Sequence, residues 1–335
     1  MIKITYLIPI DSLGGGVEVA VKNFKEFSNK KFSFKVKYIF KRKKELNNLW
    51  LLLKCTREII LNKPDVLLIS LWRSQLVGIF VKFFSPKTKL IFFIHSEADV
   101  HFLDFLSARL ALILSSEVWA DSYTSLNERF KNSKKIKKGR IISFDSREIQ
   151  KINIKKVKPN FIFWGRIGKE KGLDRALTIF SKVLKLYPQA IFTIIGSDGG
   201  YLKPSKKKCN ELKIENSVIF YDEMEFSEIK KHAQNSCFYL QTSLYEGAAM
   251  SVMESMKLGL VPIVTTVGEV SRYCNSTNSI IVYSNCEAAR DIIMMLESNE
   301  FFYKLSDNAH KQWENTISYK ESMLKACNEM VLQQF

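Results

Sequence analysis

Metal-binding signatures are missing from this 335-residue sequence. Its four histidines (His95, His101, His232 and His310) stand apart. No H-E-x-x-H or Asp-x-Asp occurs, and Glu97-x-Asp99 is the nearest approximation, so no metal is expected. The six cysteines (Cys55, Cys209, Cys237, Cys274, Cys286 and Cys327) include no pair at C-x-x-C spacing, which speaks against a disulfide framework and for a reducing compartment. No apolar run is long and clean enough to cross a membrane. Residues 66–84 are broken by Arg73 and Lys82, and residues 90–114 by Glu97, Asp99, Asp104 and Arg109. The amino terminus has no cleavage-like site and reads as a first strand, so a secretory signal is not expected and a cytoplasmic location is. Internal repeats and DNA- or RNA-recognition motifs are absent too.

Positive charge, by contrast, is abundant and unevenly placed. Of 51 Lys and Arg residues, 31 lie within residues 1–158 against 14 acids, and the remainder is balanced at 20 and 20, so the formal excess of +17 belongs to the first half. A lysine-rich proteome would not leave residues 159–335 neutral. The asymmetry points to an anionic partner for the first half, either acidic lipid headgroups or a phosphate-bearing acceptor. Phe24, Phe27, Phe32 and Phe34, interleaved with lysines, are expected to rest on such a membrane surface.

With 46% hydrophobic residues the chain is long enough for two ordinary domains. Strand-like and helical runs alternate twice over, which predicts an α/β protein of two parallel-sheet, doubly wound domains. Strands are expected at 2–8, 35–40, 66–70, 90–94, 117–120 and 141–144, then at 161–164, 190–196, 218–220, 238–241, 263–265 and 280–282. Helices are expected at 17–27, 173–186, 225–232, 286–297, 300–319 and 319–335. The charged stretch from Lys151 to Lys158, closed by Pro159, reads as a linker. The resulting division is 1–157, 158–318 and a terminal helix, 319–335.

The second half centres on Ser243–Gly268. A strand delivers the chain to Glu246-Gly247-Ala248-Ala249-Met250-Ser251, and an apolar helical segment follows. Glu246 is expected on the loop and Glu254 in the first helical turn, both facing a crevice at the strand's carboxyl end. Backbone N–H groups of the small-residue turn, with the helix dipole, would attract a phosphate there. A ligand with hydroxyls at one end and negative charge at the other, such as a nucleotide sugar, suits that arrangement. Two plainer readings stand beside it: Ser251 to Glu254 is also a capping box, and Glu246 could be a solvated loop acid.

Gly165-Arg166-Ile167-Gly168-Lys169-Glu170-Lys171-Gly172 follows a strand and offers a guanidinium fork and a point charge to adjoining phosphates, or else forms a solvated basic loop. Gly14-Gly15-Gly16 could bring amides up to a diphosphate or acceptor, or simply lead into a helix. His95, at the end of a buried-looking strand, is either a packed residue or a hydrogen-bond partner for a sugar hydroxyl.

Together these segments resemble retaining glycosyltransferases of the family 4 type with the GT-B fold. Their signature, Glu, seven residues, Glu, then a Gly, a Pro and a short strand, corresponds here to Glu246, Glu254, Gly259, Pro262 and Ile263-Val264-Thr265. The resemblance implies two Rossmann-like domains facing a central cleft. It places Glu246 at the donor sugar, Glu254 on the nucleotide ribose, and Arg166 and Lys171 on the departing diphosphate. His95, Gly15 and Gly16, beside a Gly-Gly-x-Glu pattern at Glu18, would line the opposing wall. Met224 would lie near the base, and Gly247, Ala248, Ala249, Met250 and Ser251 along the donor.

The implied substrate is a UDP- or other nucleoside diphosphate sugar, with no cofactor. The implied reaction is metal-independent transfer of a hexose or N-acetylhexosamine with retention, the leaving phosphate oxygen taking the acceptor's proton. The acceptor is expected to be a lipid-linked glycan of O-antigen or capsule synthesis. Ala248-Ala249 and Ser251 depart from the usual pattern, as does Tyr221-Asp222 near the expected base. An epimerase or phosphorylase of the same fold, or a non-enzymatic basic membrane- or nucleic-acid-binding protein, are the rival readings.

Overall fold

The computed structural model describes residues 1–10, 17, 20–21, 24–96, 99, 101–131 and 133–334. The chain divides into two compact units, residues 1–146 with 317–335, and residues 147–316.

In the first unit, the strands β1 (Ile2–Ile10), β2 (Glu26–Ser28), β3 (Phe32–Phe40), β4 (Val66–Ser70), β5 (Lys89–Ile94), β6 (Glu117–Ala120) and β7 (Arg140–Ile141) form one sheet in the order β2-β3-β1-β4-β5-β6-β7. All neighbours are parallel except β2 and β3. β4 is buried along its whole length, as a strand covered on both faces must be, and its run of Val, Leu, Leu and Ile supplies that cover. The expected helix over 17–27 gives way at its end to β2, whose Phe27 lies opposite Phe34 across an antiparallel pair. Of the expected strand 141–144 only Ile141 lies in a strand, at the end of β7.

The second unit carries β8 (Phe161–Trp164), β9 (Phe192–Ile195), β10 (Val218–Tyr221), β11 (Phe238–Gln241), β12 (Val261–Val264) and β13 (Ile280–Ile281), all parallel, in the order β10-β9-β8-β11-β12-β13. Winding proceeds outward from β8 through β9 to β10, then restarts at β11 and runs the other way. The reversal falls between β8 and β11, and in open parallel sheets the carboxyl ends of the strands at such a reversal form the ligand crevice. Helix Leu173–Leu184 packs on this sheet through Leu173, Ala176, Leu177, Phe180 and Val183, an i, i+3, i+4, i+7, i+10 stripe.

The 151–158 stretch is part of the second unit. Ile152 is buried in its core and donates its N–H to the Leu258 carbonyl at 2.9 Å. The expected helix 300–319 stops at Lys311, as Asn299–Lys311, and the terminal helix expected at 319–335 is Tyr319–Gln334. Ser318 and Glu321 start the second through a reciprocal capping box, Glu321 N–H to Ser318 Oγ at 3.2 Å and Ser318 N–H to Glu321 Oε2 at 3.1 Å. Tyr319 of this last helix donates its N–H to the Asp145 carbonyl and packs edge-on against Phe144, both in the first unit.

Phe24, Phe32 and Phe34 are buried and Phe27 is half-buried. Phe24 stacks on Phe27 at 6.1 Å and leans on Phe34 at 4.9 Å. These rings fill the core under β3, so they are not the membrane-resting set that their spacing among lysines suggests.

Candidate functional site

At the reversal between β8 and β11, three loops are tied together. Leu244 donates its N–H to the Glu170 carbonyl at 2.8 Å, Thr242 Oγ to the Gly172 carbonyl at 2.7 Å, and Thr265 Oγ to the Ser243 carbonyl at 2.6 Å. Two glycines allow the approach. A Cβ on Gly172 would sit 1.9 Å from the Thr242 carbonyl oxygen and one on Gly268 1.8 Å from that of Glu246, and both residues have positive φ. No side chain fits at either position.

This bracing fixes Glu246, which is buried rather than solvated. Its Oε1 accepts from Lys171 Nζ at 2.7 Å, Ser243 Oγ at 2.7 Å and Gln241 Nε2 at 2.8 Å. Gln241 in turn accepts from Tyr239 and, at 3.1 Å, from Ser251 Oγ, so a polar relay runs from the base of β11 to the ion pair. Lys171 therefore neutralises Glu246. Arg166, its expected partner on a diphosphate, is 62% exposed and bonds instead to Glu170 at 2.6 Å.

The helix after Glu246 is Met250–Lys257, with Glu254 in its second turn rather than its first. Ser251 lies inside the helix and bonds to Gln241, so the capping-box reading is not realised. The residue before the helix is Ala249, at φ 50°, and no side chain caps the start. A left-handed alanine costs on the order of 1 kcal/mol, and here Tyr273 holds it by donating from its hydroxyl towards the Ala248 and Ala249 carbonyls, each at 3.3 Å. The uncapped first turn leaves backbone N–H groups for an anion.

Glu254 is buried between Arg147, whose guanidinium bonds to Oε1, and the Trp164 indole N–H, 2.9 Å from Oε2. Burial raises its carboxyl pKa, opposed by the Arg147 charge and the Trp164 hydrogen bond. Each carboxylate oxygen has two acceptor sites, so one on each remains for further donors. Met224 is half-buried against the second core, two residues before Phe226, whose ring lies under the Arg147 guanidinium at 4.4 Å. Asp198, in the Gly196–Gly200 turn, accepts from the Gly200, Tyr201 and Leu202 N–H groups at 2.7, 3.0 and 3.1 Å, bonds that hold its carboxyl below the usual range.

His95, in the first unit, is packed. Its Nε2 lies 2.8 Å from Ser70 Oγ, its Nδ1 3.4 Å from Asp121 Oδ2, and its ring 4.2 Å from that of Phe93. Gly15, Gly16 and Glu18 lie outside the described residues, as does Glu97. Arg147, Trp164, Gln241 and Ser243 join the site without having been anticipated. Gln241 and Trp164 carried a signal, a polar or indole group at the carboxyl end of an otherwise apolar strand. Arg147, 107 residues from Glu254, carried none. Among the described residues no group of three His, Cys, Asp or Glu side chains could hold a metal ion.

Two doubly wound α/β domains in one chain are the elements of the GT-B fold. The chain aligns over 98% of its length with 99% of Anabaena Alr3699/HepE, solved in complex with UDP-glucose, at TM-score 0.77 and 16% identity. It aligns over 99% of both chains with the sucrose-phosphate synthase of Thermosynechococcus elongatus, at TM-score 0.75 and 12% identity. The chain belongs to the glycosyl transferases group 1 family, whose model matches residues 144–313.

Similar curated proteins include the poly(glycerol-phosphate) alpha-glucosyltransferase of Bacillus subtilis (strain 168), 28% identical over 189 residues and 54% of this chain. Another is the alpha-monoglucosyldiacylglycerol synthase of Streptococcus pneumoniae (strain ATCC BAA-255 / R6), 26% identical over 128 residues and 36% of this chain. The chain covers 27% and 29% of those two proteins, well under a third of each.

Proposed function

We propose that the protein is a retaining glycosyltransferase that moves a hexose or N-acetylhexosamine from a nucleoside diphosphate sugar to a glycan acceptor. The observation that carries this reading is the Lys171–Glu246 pair beside an uncapped helix start, with Glu254 one turn further on. A bound diphosphate draws Lys171 away from Glu246 and adds the first-turn N–H groups of the helix, and Arg166 swings in from solvent. The charge growing on the departing phosphate is then met by fixed dipoles and two cations, with no metal required. Glu246, released from its cation, accepts from a sugar hydroxyl, and Glu254 accepts from the ribose. His95 is assigned a hydrogen bond to the sugar, and Met224 a place near the base.

UDP-glucose bound to the Anabaena neighbour favours a UDP-sugar donor. The names of the two curated relatives favour an acceptor that bears phosphate or lipid, and the basic first unit is consistent with a lipid-linked glycan at the inner face of the cytoplasmic membrane. We assign the product to a bacterial surface polysaccharide such as O-antigen or capsule.

Thermal unfolding with a panel of UDP-, GDP- and TDP-sugars tests the donor, because a ligand bound only by the folded state raises the melting temperature. One nucleotide series is expected to stabilise, and no shift with any of them overturns the reading. Glu254→Gln is expected to weaken that donor by about tenfold, the worth of one hydrogen bond to a charged group, with a correspondingly smaller thermal shift. An unchanged shift removes Glu254 from the ribose.

A further inference from the structure

We propose that the outer face of three helices in the first unit, Leu49–Asn62, Leu71–Phe84 and Phe102–Leu114, is an interfacial surface that lies flat on an anionic phospholipid bilayer. The inference deepens the membrane partner in the proposed function and rests on that reading for its purpose, since the surface would hold the enzyme where a lipid-linked acceptor is.

Strand order puts the three helices in one layer. The steps from β3 to β4, β4 to β5 and β5 to β6 all run in the same direction across the sheet, and right-handed crossovers set their helices on the same side. The inner side of the layer is accounted for, with Leu52, Cys55, Ile59, Val77, Val81, Ala108 and Ala111 packed in the core over β4 and β5. The outer side should be polar, yet it is not. Phe83 is 79% exposed, Phe102 71%, Ile113 69% and Trp50 65%, with Leu53, Phe80, Phe84, Phe105 and Leu110 also open to solvent.

These positions recur at helical spacing. Phe102, Phe105, Leu106, Leu110 and Ile113 fall along one helix, and Phe80, Phe83 and Phe84 along its neighbour. Trp72 packs edge-on against His101 at 4.8 Å, so the two amino-terminal ends lie side by side and Phe83 and Phe84 come level with Ile113. A protein whose outer layer stayed in water would rarely carry so many large apolar side chains on adjoining helices.

Charge selects the occupant. The three helices contain two acids, and neither is free. Glu58 is bound to Lys37 at 2.7 Å, and Asp104 is buried against Arg129 at 2.7 Å. Exposed cations sit within the face at Lys54 and Arg57 and at its rim at Lys63 and Lys87. Lys135 bonds through Nζ to the carbonyls of Leu112, Ile113 and Ser115, which fixes the basic loop carrying exposed Lys134 at the end of the helix Phe102–Leu114. Apolar rings flanked by cations, with no free acid on the helices, match the acyl boundary and phosphates of an anionic leaflet. No helix among the described residues is long and apolar enough to cross it.

Flotation of the full chain with vesicles of phosphatidylcholine alone, or with a quarter phosphatidylglycerol, tests the surface. Binding is expected to the anionic vesicles, weakened by high salt and reduced about tenfold or more by Phe83→Ser with Phe84→Ser, or by Lys87→Glu with Lys134→Glu. A blue shift of tryptophan emission on binding, lost in Trp50→Phe, would report the face itself. All five side chains are exposed, so circular dichroism of the variants should match the parent. Failure to float, or full binding by both pairs, overturns the proposal. So does a dimer in light scattering that the phenylalanine pair disperses, because a second copy would then cover the face. The nucleotide-sugar thermal shift, run on the same samples, separates the two readings: its loss in the parent removes the donor assignment and leaves the surface standing, and its persistence without vesicle binding does the reverse.

Discussion

Lys171→Ala is expected to lower the transfer rate by about a hundredfold to a thousandfold, the cost of removing one charge-stabilising donor from a preorganised site. The size of the effect is set by what Lys171 touches. Its side chain is 17% exposed and its ammonium lies 2.7 Å from Glu246, whose side chain is 7% exposed, so the pair is largely withdrawn from water. Breaking such a pair from one side costs up to about 3–5 kcal/mol, but Glu246 keeps Ser243 and Gln241 as donors, which lowers the figure. The variant should therefore fold with modest loss and fail in chemistry. Lys171→Ala combined with Arg166→Ala should abolish transfer, and Arg166→Ala alone should be milder because its guanidinium must first leave solvent and Glu170. Steady-state kinetics with the best nucleotide sugar check this. A loss in kcat supports charge stabilisation of the leaving group. A double variant that retains activity would remove both cations from the diphosphate.

The sequence made the second sheet easy to read and the first unit's amino-terminal region hard, for a physical reason. Strands β8, β11 and β12 are buried on both faces, so they read as short unbroken apolar runs, and each of those expected segments overlaps its strand. β2 is a three-residue edge strand with only Phe27 partly covered, too short for any period to show, and a helix over 17–27 fits the same residues. The start of the terminal helix at 319 had a local signal, Ser318-x-x-Glu321, and only the stop of the preceding helix at Lys311, eight residues before its expected end, was not marked.

The site follows the same division. Glu246, Lys171 and the small-residue turn are marked by chain-local spacing. The carboxylates' partners are set by topology: Arg147 reaches Glu254 only because the chain enters the second unit there, and Gln241 reaches Glu246 only because β11 ends under the loop. Spacing also placed the exposed aromatics wrongly. Phe24, Phe32 and Phe34 alternate along and beside a strand whose inner face is core, and the rings that do face solvent sit on helices where the sequence shows only a general apolar richness.

Raising the pH from 8 to 10 is expected to destabilise both units by about 2–3 kcal/mol each, which for domains of this size is a fall of about 5–10 °C in melting temperature. Four buried thiols carry most of the effect, and burial raises Cys237, in the second unit, as well. Burial pushes Cys55 and Cys209 up to about 11 and Cys274 and Cys327 up to about 12, from an ordinary value of 9.0. Two belong to each unit. A thiol whose folded pKa lies above its unfolded one holds its proton more tightly when folded. Its contribution is unaffected below the unfolded value and becomes a penalty as pH rises through the interval between the two, because only the unfolded chain gains the free energy of ionisation there. At pH 10 that gain is on the order of 1 kcal/mol per thiol. Tyr239, Tyr273 and Tyr319 are pushed well above 10 by burial and add in the same direction at higher pH. Urea unfolding at the two pH values measures the loss, and Cys327→Ala should reduce the pH dependence of the first unit by about half, Cys55 supplying the rest, while leaving that of the second unchanged. A first unit whose pH dependence is identical with and without Cys327 would show that its alkaline instability arises elsewhere.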